Sequence, residues 1–189
     1  MGFIRRFPLL LLALGFVGCS SVHLHRRETE RIMGSDSIST AQMERFLLRH
    51  NGSVGHGDAK KIATCYLQEC QQEGVRPAVA FCQMCLETNF LSFPGSIARD
   101  QNNFCGYGVT ASNYVGATFP DLRTGVRTHV QHLKAYATAE PTRRRCIDSR
   151  RRSVYLGSAP TVNDLAGRWN SDPNYGNRLC ELIGQLRAE

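Results

Sequence analysis

The sequence predicts a mainly α-helical domain that extends from about residue 38 to the C-terminus. Apolar residues recur at helical spacing in several segments, and residues that commonly cap helices stand at the start of most of these segments. No internal repeat or low-complexity tract divides the chain. A length of 189 residues fits one domain with short appendages, and a hydrophobic content of 42% is enough for a sizeable core.

The N-terminus has the order of an export signal. Two arginines precede an apolar run from residue 7 to 17, which is too short to remain as a membrane-spanning helix. We therefore interpret residues 1–18 as a signal peptide. Gly18-Cys19-Ser20 resembles a bacterial lipobox, in which Cys19 becomes the lipidated first residue, although Phe16 replaces the usual leucine. Ordinary cleavage and release of the chain is the alternative.

The polar and aperiodic residues 19–37 are expected to form a tether, and the first helix follows them. Ser39 and Gln42 have the spacing of a capping box, while Ile38 and Met43 fit a hydrophobic staple. The stretch "NGSVGHG" then breaks the chain.

Two more helices are predicted before residue 90. From Asp58 onward apolar residues recur at helical spacing, and Gly74 follows as a C-cap. Pro77 suits the first position of the next helix, which extends to about Asn89. Residues 78–86 are apolar almost all round, as expected of a buried central helix.

The second half of the chain alternates loops with helices. Residues 91–120 are rich in Gly, Asn and aromatic residues and predict loops with a short hairpin, and the basic segment 142–160 is a further interruption. Asp172 and Pro173 predict the start of the last helix. The two remaining helical faces consist of Val126, His129, Val130, Leu133, Tyr136 and Ala137, and of Leu179, Leu182, Ile183 and Leu186.

The cysteines and histidines give no strong metal signal. Of eight cysteines, seven remain after Cys19, and an odd number cannot all pair internally. Cys82 and Cys85 form a C-x-x-C pair, but within a helical pattern, so we interpret them as small apolar core residues. His129 and His132 are three positions apart without a nearby acidic partner. We expect His129 in the core and His132 at the surface, and we expect neither a metal nor another cofactor.

The positive net charge, +7, favours a polyanionic partner. Two "RRR" runs, at 143–145 and 150–152, are able to bind carboxylates of an acidic cell-wall polymer or anionic lipids, or to form a solvated basic loop. No aromatic interleaving or fold signature indicates nucleic acid.

Glu87 ends the apolar segment "FCQMCLETNF" and is the candidate for acid chemistry. In the last turn of a buried helix, loss of water and the negative end of the helix dipole both raise the pKa of a carboxyl group. A carboxyl group that keeps its proton near neutral pH can protonate the leaving oxygen of a glycoside. The alternative is a solvated glutamate at a helix end.

Five blocks, in this order, resemble the bacterial glucosaminidase domain of glycoside hydrolase family 73. They are "RIMGSDSISTAQMERFLL", "GVRPAVAFCQMCLETNFLSFPG", "QNNFCGYG", "FPDLRTGVRTHVQHLKAYA" and "AGRWNSDPNYG". The resemblance covers about residues 32–186. It implies a lysozyme-like helical domain with a small β-lobe or loop-rich region. It also implies endo-β-N-acetylglucosaminidase activity on peptidoglycan, with Glu87 as the proton donor.

The resemblance assigns roles to two further blocks. Asn103 is expected to bind an acetamido group, the Phe104 and Tyr107 rings to stack on sugars, and Gly106 to let the backbone approach the ligand. Core packing is the alternative for Phe104. Tyr175 matches an active-site tyrosine of the family, or else packs as a helix-start aromatic residue on Trp169. Trp169, the only tryptophan, is expected in the core.

One departure from the family leaves the mechanism open. Many members carry a second glutamate in an "EES" block, where this chain has Arg123 and Thr124. Asp121, the nearest carboxylate, is a candidate for activating water in an inverting reaction. Alternatively, the acetamido oxygen of the substrate attacks the anomeric carbon, which needs only one protein carboxylate and is the route we favour.

The predicted protein is thus an exported, monomeric peptidoglycan hydrolase, anchored by lipid at Cys19 to a bacterial membrane and facing the periplasm or cell wall. Two other functions fit the same sequence. One is a wall-binding lipoprotein with weak catalysis. The other is a lytic transglycosylase that acts after N-acetylmuramic acid.

Overall fold

The structure, a computed structural model, describes residues 29–110 and 112–189 and confirms the mainly helical class. The signal peptide, Cys19 and most of the expected tether lie outside the described residues. Within them the chain forms three short 3-10 turns and five α-helices, namely α1 (Thr40–His50), α2 (His56–Glu73), α3 (Pro77–Thr88), α4 (Leu122–Ala137) and α5 (Tyr175–Arg187).

Most helix boundaries follow local capping signals. The Ser39 hydroxyl oxygen accepts a hydrogen bond from the backbone N–H of Gln42, and the Gln42 side-chain oxygen accepts one from the backbone N–H of Ser39, so the predicted capping box starts α1. Gly74 ends α2 with φ of 74°, in the left-handed region that favours glycine. Pro77 begins α3, as predicted.

Two helix starts differ from the prediction. Helix α2 begins at His56, two residues before Asp58, with Gly55 as its N-cap. Helix α5 begins at Tyr175 rather than around Pro173. Asp172 instead accepts a hydrogen bond from the backbone of Asn174, 2.9 Å away, in the turn before the helix, and it pairs with Arg178 of α5 at 3.2 Å.

Helix α3 lies at the centre, as its apolar sequence predicts. Its residues from Pro77 to Cys85 are all buried, including Gln83, the one polar side chain among them. Helix α2 packs against α1, α3 and α4, and α5 packs against α3 and α1. Five cysteines, among them Cys82 and Cys85, are buried as free thiols in or near this core.

The folded domain begins before residue 38. Ile32 is fully buried, its amide donates to the carbonyl of Pro160, and its carbonyl accepts from the amide of Arg76. Arg76 and Arg187 both contact the Glu30 carboxylate. Residues 30–37, predicted as the end of a tether, are therefore part of the domain, because they add backbone and ionic contacts that a polar sequence pattern does not reveal.

Buried charges join α2 to α4. The Glu69 carboxylate is fully buried and binds Arg127 and Arg123 at 2.9 and 2.6 Å. Glu73 and Lys134 form a second pair at 3.2 Å, with both residues fully buried. Burial alone would raise the pKa of the Glu73 carboxyl group, but hydrogen bonds from Gln131, the Arg143 amide and Lys134 outweigh it, so the pKa is lowered.

Replacing Lys134 by methionine is expected to destabilise the protein by about 3 kcal/mol, because Glu73 loses its charge partner while it remains buried. Urea unfolding would measure this loss. The double variant Lys134→Met, Glu73→Gln should recover part of it, since a neutral amide at position 73 can still bind Gln131. An unchanged unfolding midpoint for the single variant would contradict the importance of the pair.

The region between α3 and α4 is rich in loops. The described residues contain isolated β-bridges, such as that between Thr110 and Asn113, but no extended strand, so the predicted hairpin is reduced to a turn. In the described part of the chain, no helix combines the length and apolar character needed to cross a membrane.

Candidate active site

Glu87 lies in the last turn of α3, at the foot of the buried central helix. Its carboxyl group is partly buried and contacts two aromatic side chains from the C-terminal part of the chain. Tyr175, the first residue of α5, donates its hydroxyl proton to Glu87 Oε1 at 2.5 Å. The indole N–H of Trp169 donates to the same oxygen at 3.2 Å.

The second carboxyl oxygen faces a glycine loop. Gly106 adopts φ of 67°, and a methyl group built at this position would lie 3.9 Å from Glu87 Oε2. Both hydrogen bonds go to Oε1, and Oε2 is the oxygen on the side of the Gly106 backbone. The two carboxyl oxygens therefore differ in their surroundings.

The environment favours the protonated form of Glu87. Loss of water on burial raises its pKa, and this effect exceeds the opposing hydrogen bonds from Tyr175 and Trp169 and the charge of Arg178. The pKa of the Tyr175 hydroxyl is also raised, because the group is buried beside Glu87, so Tyr175 stays neutral and acts as a donor. This upward direction is the one expected for a carboxyl group at the end of a buried helix.

A left-handed turn follows the candidate acid. Asn89, Phe90 and Leu91 have φ of 47°, 54° and 62°, a conformation that costs a non-glycine residue about 1–2 kcal/mol. The turn is held by hydrogen bonds from the Phe90 amide to the Cys85 carbonyl and from the Leu91 amide to the Thr88 hydroxyl. It ends α3 one residue after Glu87, so the carboxyl group stands where the chain turns away from the core.

Asn103 organises the glycine loop instead of facing a ligand. Its side-chain amide donates to the carbonyls of Tyr107 and Ala117, both at 2.9 Å, and its oxygen accepts from the Tyr107 amide at 2.9 Å. The residue is 1% exposed. The predicted contact with an acetamido group is not supported, because the donors of Asn103 are already used within the loop.

The two predicted stacking rings are also directed inward. Phe104 belongs to the hydrophobic core and packs beside Phe93. The Tyr107 ring contacts His132, and its hydroxyl donates to Asp148 at 2.7 Å. Of the four predicted substrate-binding residues, only Gly106 faces Glu87, since the other three carry side chains that the loop uses for its own packing.

His132 is buried, contrary to the prediction of a surface position. Its ring is hydrogen-bonded to Asp148 at 3.0 Å and packs against Trp169, so this hydrogen bond joins α4 to the basic segment. His129 is fully buried, as predicted. Burial, together with the nearby His132, lowers the pKa of His129 to about 3.

Asp121, the candidate for activating water, caps a helix. It is exposed and accepts a hydrogen bond from the Thr124 amide at 2.8 Å, as the N-cap of α4. This contact, with further ones to Thr124 and Arg123, lowers its pKa despite slight desolvation. The Asp121 carboxylate is thus oriented toward the N-terminus of α4 by its hydrogen bond with Thr124.

Two residues at the site were not predicted from the sequence. Trp169 is half-buried and donates a hydrogen bond to Glu87. It stands in the same block as Tyr175, "AGRWNSDPNYG", and this was a signal that could have placed it at the site. Gln83 is fully buried and donates to the Tyr175 hydroxyl at 3.0 Å. Its position one turn before Glu87, in an otherwise apolar helix, places both polar side chains on the same helix face.

Comparisons with known proteins identify the family and the fold of this chain. A family model described as glucosaminidase, mannosyl-glycoprotein endo-beta-N-acetylglucosaminidase, matches residues 63–188. An uncharacterized protein of Borreliella burgdorferi is 34% identical over 142 residues, which cover 75% of this chain and 70% of the relative.

A solved structure shares the fold. It is S. aureus autolysin E in complex with the muropeptide NAM-L-Ala-D-iGlu, with a TM-score of 0.52 over 86% of this chain and 72% of the autolysin chain. At 13% identity this similarity concerns the fold, and it confirms the lysozyme-like helical class. Since the family model spans most of the chain, including α3, α4, α5 and the Glu87 site, this protein belongs to the glucosaminidase family of glycoside hydrolases.

Proposed function

We propose that this protein is a peptidoglycan hydrolase that cleaves the β-1,4 bond after N-acetylglucosamine, with Glu87 as the general acid. The observation that carries the proposal is the Glu87 carboxyl group itself. It has a raised pKa, one oxygen fixed by Tyr175 and Trp169, and the other on the side of Gly106.

The contacts of Glu87 suit a group that gives up a proton. The carboxyl group donates from Oε2 to the glycosidic oxygen as the bond to the anomeric carbon breaks. The hydrogen bonds from Tyr175 and Trp169 then stabilise the carboxylate that remains. Burial favours the protonated form of Glu87 before the reaction, and these two donors favour departure of the proton during the reaction.

The attack on the anomeric carbon is assigned to the acetamido oxygen of the substrate. Asp121 is used as a helix cap, which favours the route that needs only one protein carboxylate. The acetamido oxygen forms the new bond to the anomeric carbon as the leaving sugar takes the proton from Glu87. Water then opens the resulting ring and returns a proton to Glu87.

Peptidoglycan is the proposed substrate on two grounds. The family acts on bonds of N-acetylglucosamine, and autolysin E, which shares the fold, was solved with a muropeptide. The net charge of +7 is compatible with a polymer that carries peptide carboxylates.

Fragment analysis of digested peptidoglycan tests the proposal. Purified protein should release fragments with reducing-end N-acetylglucosamine, identified by mass spectrometry. Anhydro-muramic ends would instead indicate a lytic transglycosylase, and binding without fragments would indicate a wall-binding protein. Either result would reject the proposed reaction.

We also propose export and lipid attachment at Cys19. The apolar run and Gly18-Cys19-Ser20 support this location, and the folded domain begins only about ten residues later, near residue 30. Labelled palmitate should enter the wild-type protein in a bacterial host but not the Cys19→Ala variant, and the variant should leave the membrane fraction. Equal labelling of both proteins would contradict the anchor.

A further inference from the structure

A continuous chain of buried hydrogen bonds leads from the far side of the core to Glu87. Tyr66 on α2 contacts His129 Nδ1 at 2.8 Å, and His129 Nε2 contacts Gln83 Oε1 at 3.0 Å. Gln83 then contacts Tyr175, which contacts Glu87. Four helices contribute to this chain, and its first four side chains are at most 1% exposed.

The donors and acceptors of these groups favour one direction along the chain. The Tyr175 hydroxyl has one proton, which it gives to Glu87, so it accepts from the amide N–H of Gln83. The carbonyl oxygen of Gln83 then faces His129 and requires a proton on Nε2. A neutral imidazole has only one N–H, so Nδ1 must accept from the Tyr66 hydroxyl.

The reverse direction of these hydrogen bonds leaves one more buried donor without an acceptor. If the Gln83 amide were turned over, its oxygen would accept the Tyr175 proton, and Glu87 would keep only the bond from Trp169. His129 would then donate from Nδ1 to Tyr66, and the buried Tyr66 proton would have no acceptor among the described contacts. An unpaired buried donor is costly, so the direction that ends on Glu87 is favoured.

We propose that Gln83, His129 and Tyr66 are positioning residues that keep the hydroxyl proton of Tyr175 directed at Glu87. This inference rests on the proposed role of Glu87 as the acid and extends it to three residues that touch no substrate. His129 is suited to the task because it stays neutral under ordinary conditions, with its pKa lowered to about 3 chiefly by burial. The direction of these hydrogen bonds, from Tyr66 to Glu87, therefore does not change over the working pH range of the protein.

Other titratable groups surround the same site. Arg178 on α5 lowers the pKa of Glu87, and the buried thiol of Cys105 lies close enough to interact with Glu87. Behind Trp169, His132 pairs with Asp148. An experiment on pH dependence must separate Glu87 from these neighbours, and His132 is the most important because its ring contacts Trp169 directly.

A matched pair of variants at position 129 tests the proposal. His129→Leu removes the donor to Gln83, whereas the amide of His129→Gln can replace it. With peptidoglycan as the substrate, the leucine variant should lower kcat about 10- to 100-fold with little change in KM, and the glutamine variant should recover most of that loss. Thr128→Val is the control, since its buried hydroxyl bonds only within α4 and lies outside the chain.

Fluorescence of Trp169 gives a readout without substrate. It is the only tryptophan, and its indole binds Glu87, so its emission should follow the protonation of Glu87. The same fluorescence titration of the Glu87→Gln variant records the effect of the neighbouring groups, including His132, without Glu87. After this correction, the midpoint should be higher in His129→Leu than in the wild type, because Glu87 loses the Tyr175 bond that lowers its pKa.

Several outcomes would overturn the inference. Equal losses in the leucine and glutamine variants, a loss that appears mainly in KM, or an unmoved fluorescence midpoint would each do so. If His129→Leu fails to fold, Tyr66→Phe replaces it and should shift the midpoint in the same direction. Absence of cleavage by the wild type would reject the proposed function, whereas the fluorescence titration would still test the hydrogen-bond chain.

Discussion

Replacement of Glu87 by glutamine is expected to lower the rate of glycan cleavage about 1,000-fold, because the amide has no acidic proton to donate. The fold should remain intact, since the amide oxygen can still accept from Tyr175 and Trp169 as Oε1 does. Binding of peptidoglycan should persist. Fragment release and sedimentation with insoluble peptidoglycan measure the two properties separately, and retained cleavage would remove Glu87 from its proposed role.

The same variant should be more stable than the wild type above the ordinary glutamate pKa. The folded-state pKa of Glu87 is raised above 4.5, so the contribution of this group to wild-type stability is fully present below 4.5 and is lost as pH rises through the folded-state value. Glutamine carries no such penalty. Thermal melts of both proteins should show a difference in Tm that opens above pH 4.5, and a constant difference across pH would contradict the raised pKa.

Activity should follow the same ionisation of Glu87. Glu87 acts as an acid only when protonated, so kcat/KM should fall as pH rises through its raised pKa.

The variant Asp121→Asn separates the two routes of attack on the anomeric carbon. Asparagine also caps helices well, so the variant removes the carboxylate and keeps the helix cap. Near-normal activity is expected for this variant if the substrate supplies the nucleophile. A loss comparable to that of Glu87→Gln would instead assign water activation to Asp121.

Replacement of Tyr175 by phenylalanine is expected to lower kcat about 100-fold, the scale seen when one preorganised donor is removed from an active site. The variant keeps the buried ring but loses the hydroxyl that binds Glu87 at 2.5 Å and accepts from Gln83. Glu87 keeps only the Trp169 bond, so its carboxylate is less stabilised when the proton leaves.

The pH profile should distinguish this effect from simple loss of packing. Because the Tyr175 bond lowers the pKa of Glu87, its removal should move the fall in kcat/KM to higher pH. Tyr136→Phe is the matched control, since Tyr136 also lies near the site, against Trp169, but its hydroxyl makes only a 3.4 Å contact with the Arg168 carbonyl. A pH profile identical to the wild type in Tyr175→Phe would argue against the proposed coupling to Glu87.

Much of the secondary structure was predictable because its causes are local. The Ser39 capping box, the Gly74 C-cap and Pro77 at a helix start act within a few residues of the boundaries that they set. The continuous apolar surface of α3 likewise predicted its central position. Its position at the end of such a helix made Glu87 a candidate, and the resemblance of its block to the family selected it over a solvated glutamate at a helix end.

The side chains of Asn103, Phe104 and Tyr107, expected at the sugar, have partners inside the protein that the sequence did not reveal. Asparagine, glycine and aromatic residues suit both a sugar site and a tightly packed loop. The choice depends on whether their donors and rings find partners within the protein. Here Asn103 binds backbone groups of residues 107 and 117, and Tyr107 binds Asp148, which is 41 positions away.

The sequence alone thus determined the helices, the family and the candidate acid. Only the tertiary structure decided the partners of that acid, since Trp169 and Tyr175 are 82 and 88 positions from Glu87 and the chain through Gln83, His129 and Tyr66 joins four helices. Caps and periodicity reflect interactions over about one helical turn. A hydrogen bond between distant side chains instead requires that packing bring two helices to a distance that no short stretch of sequence encodes.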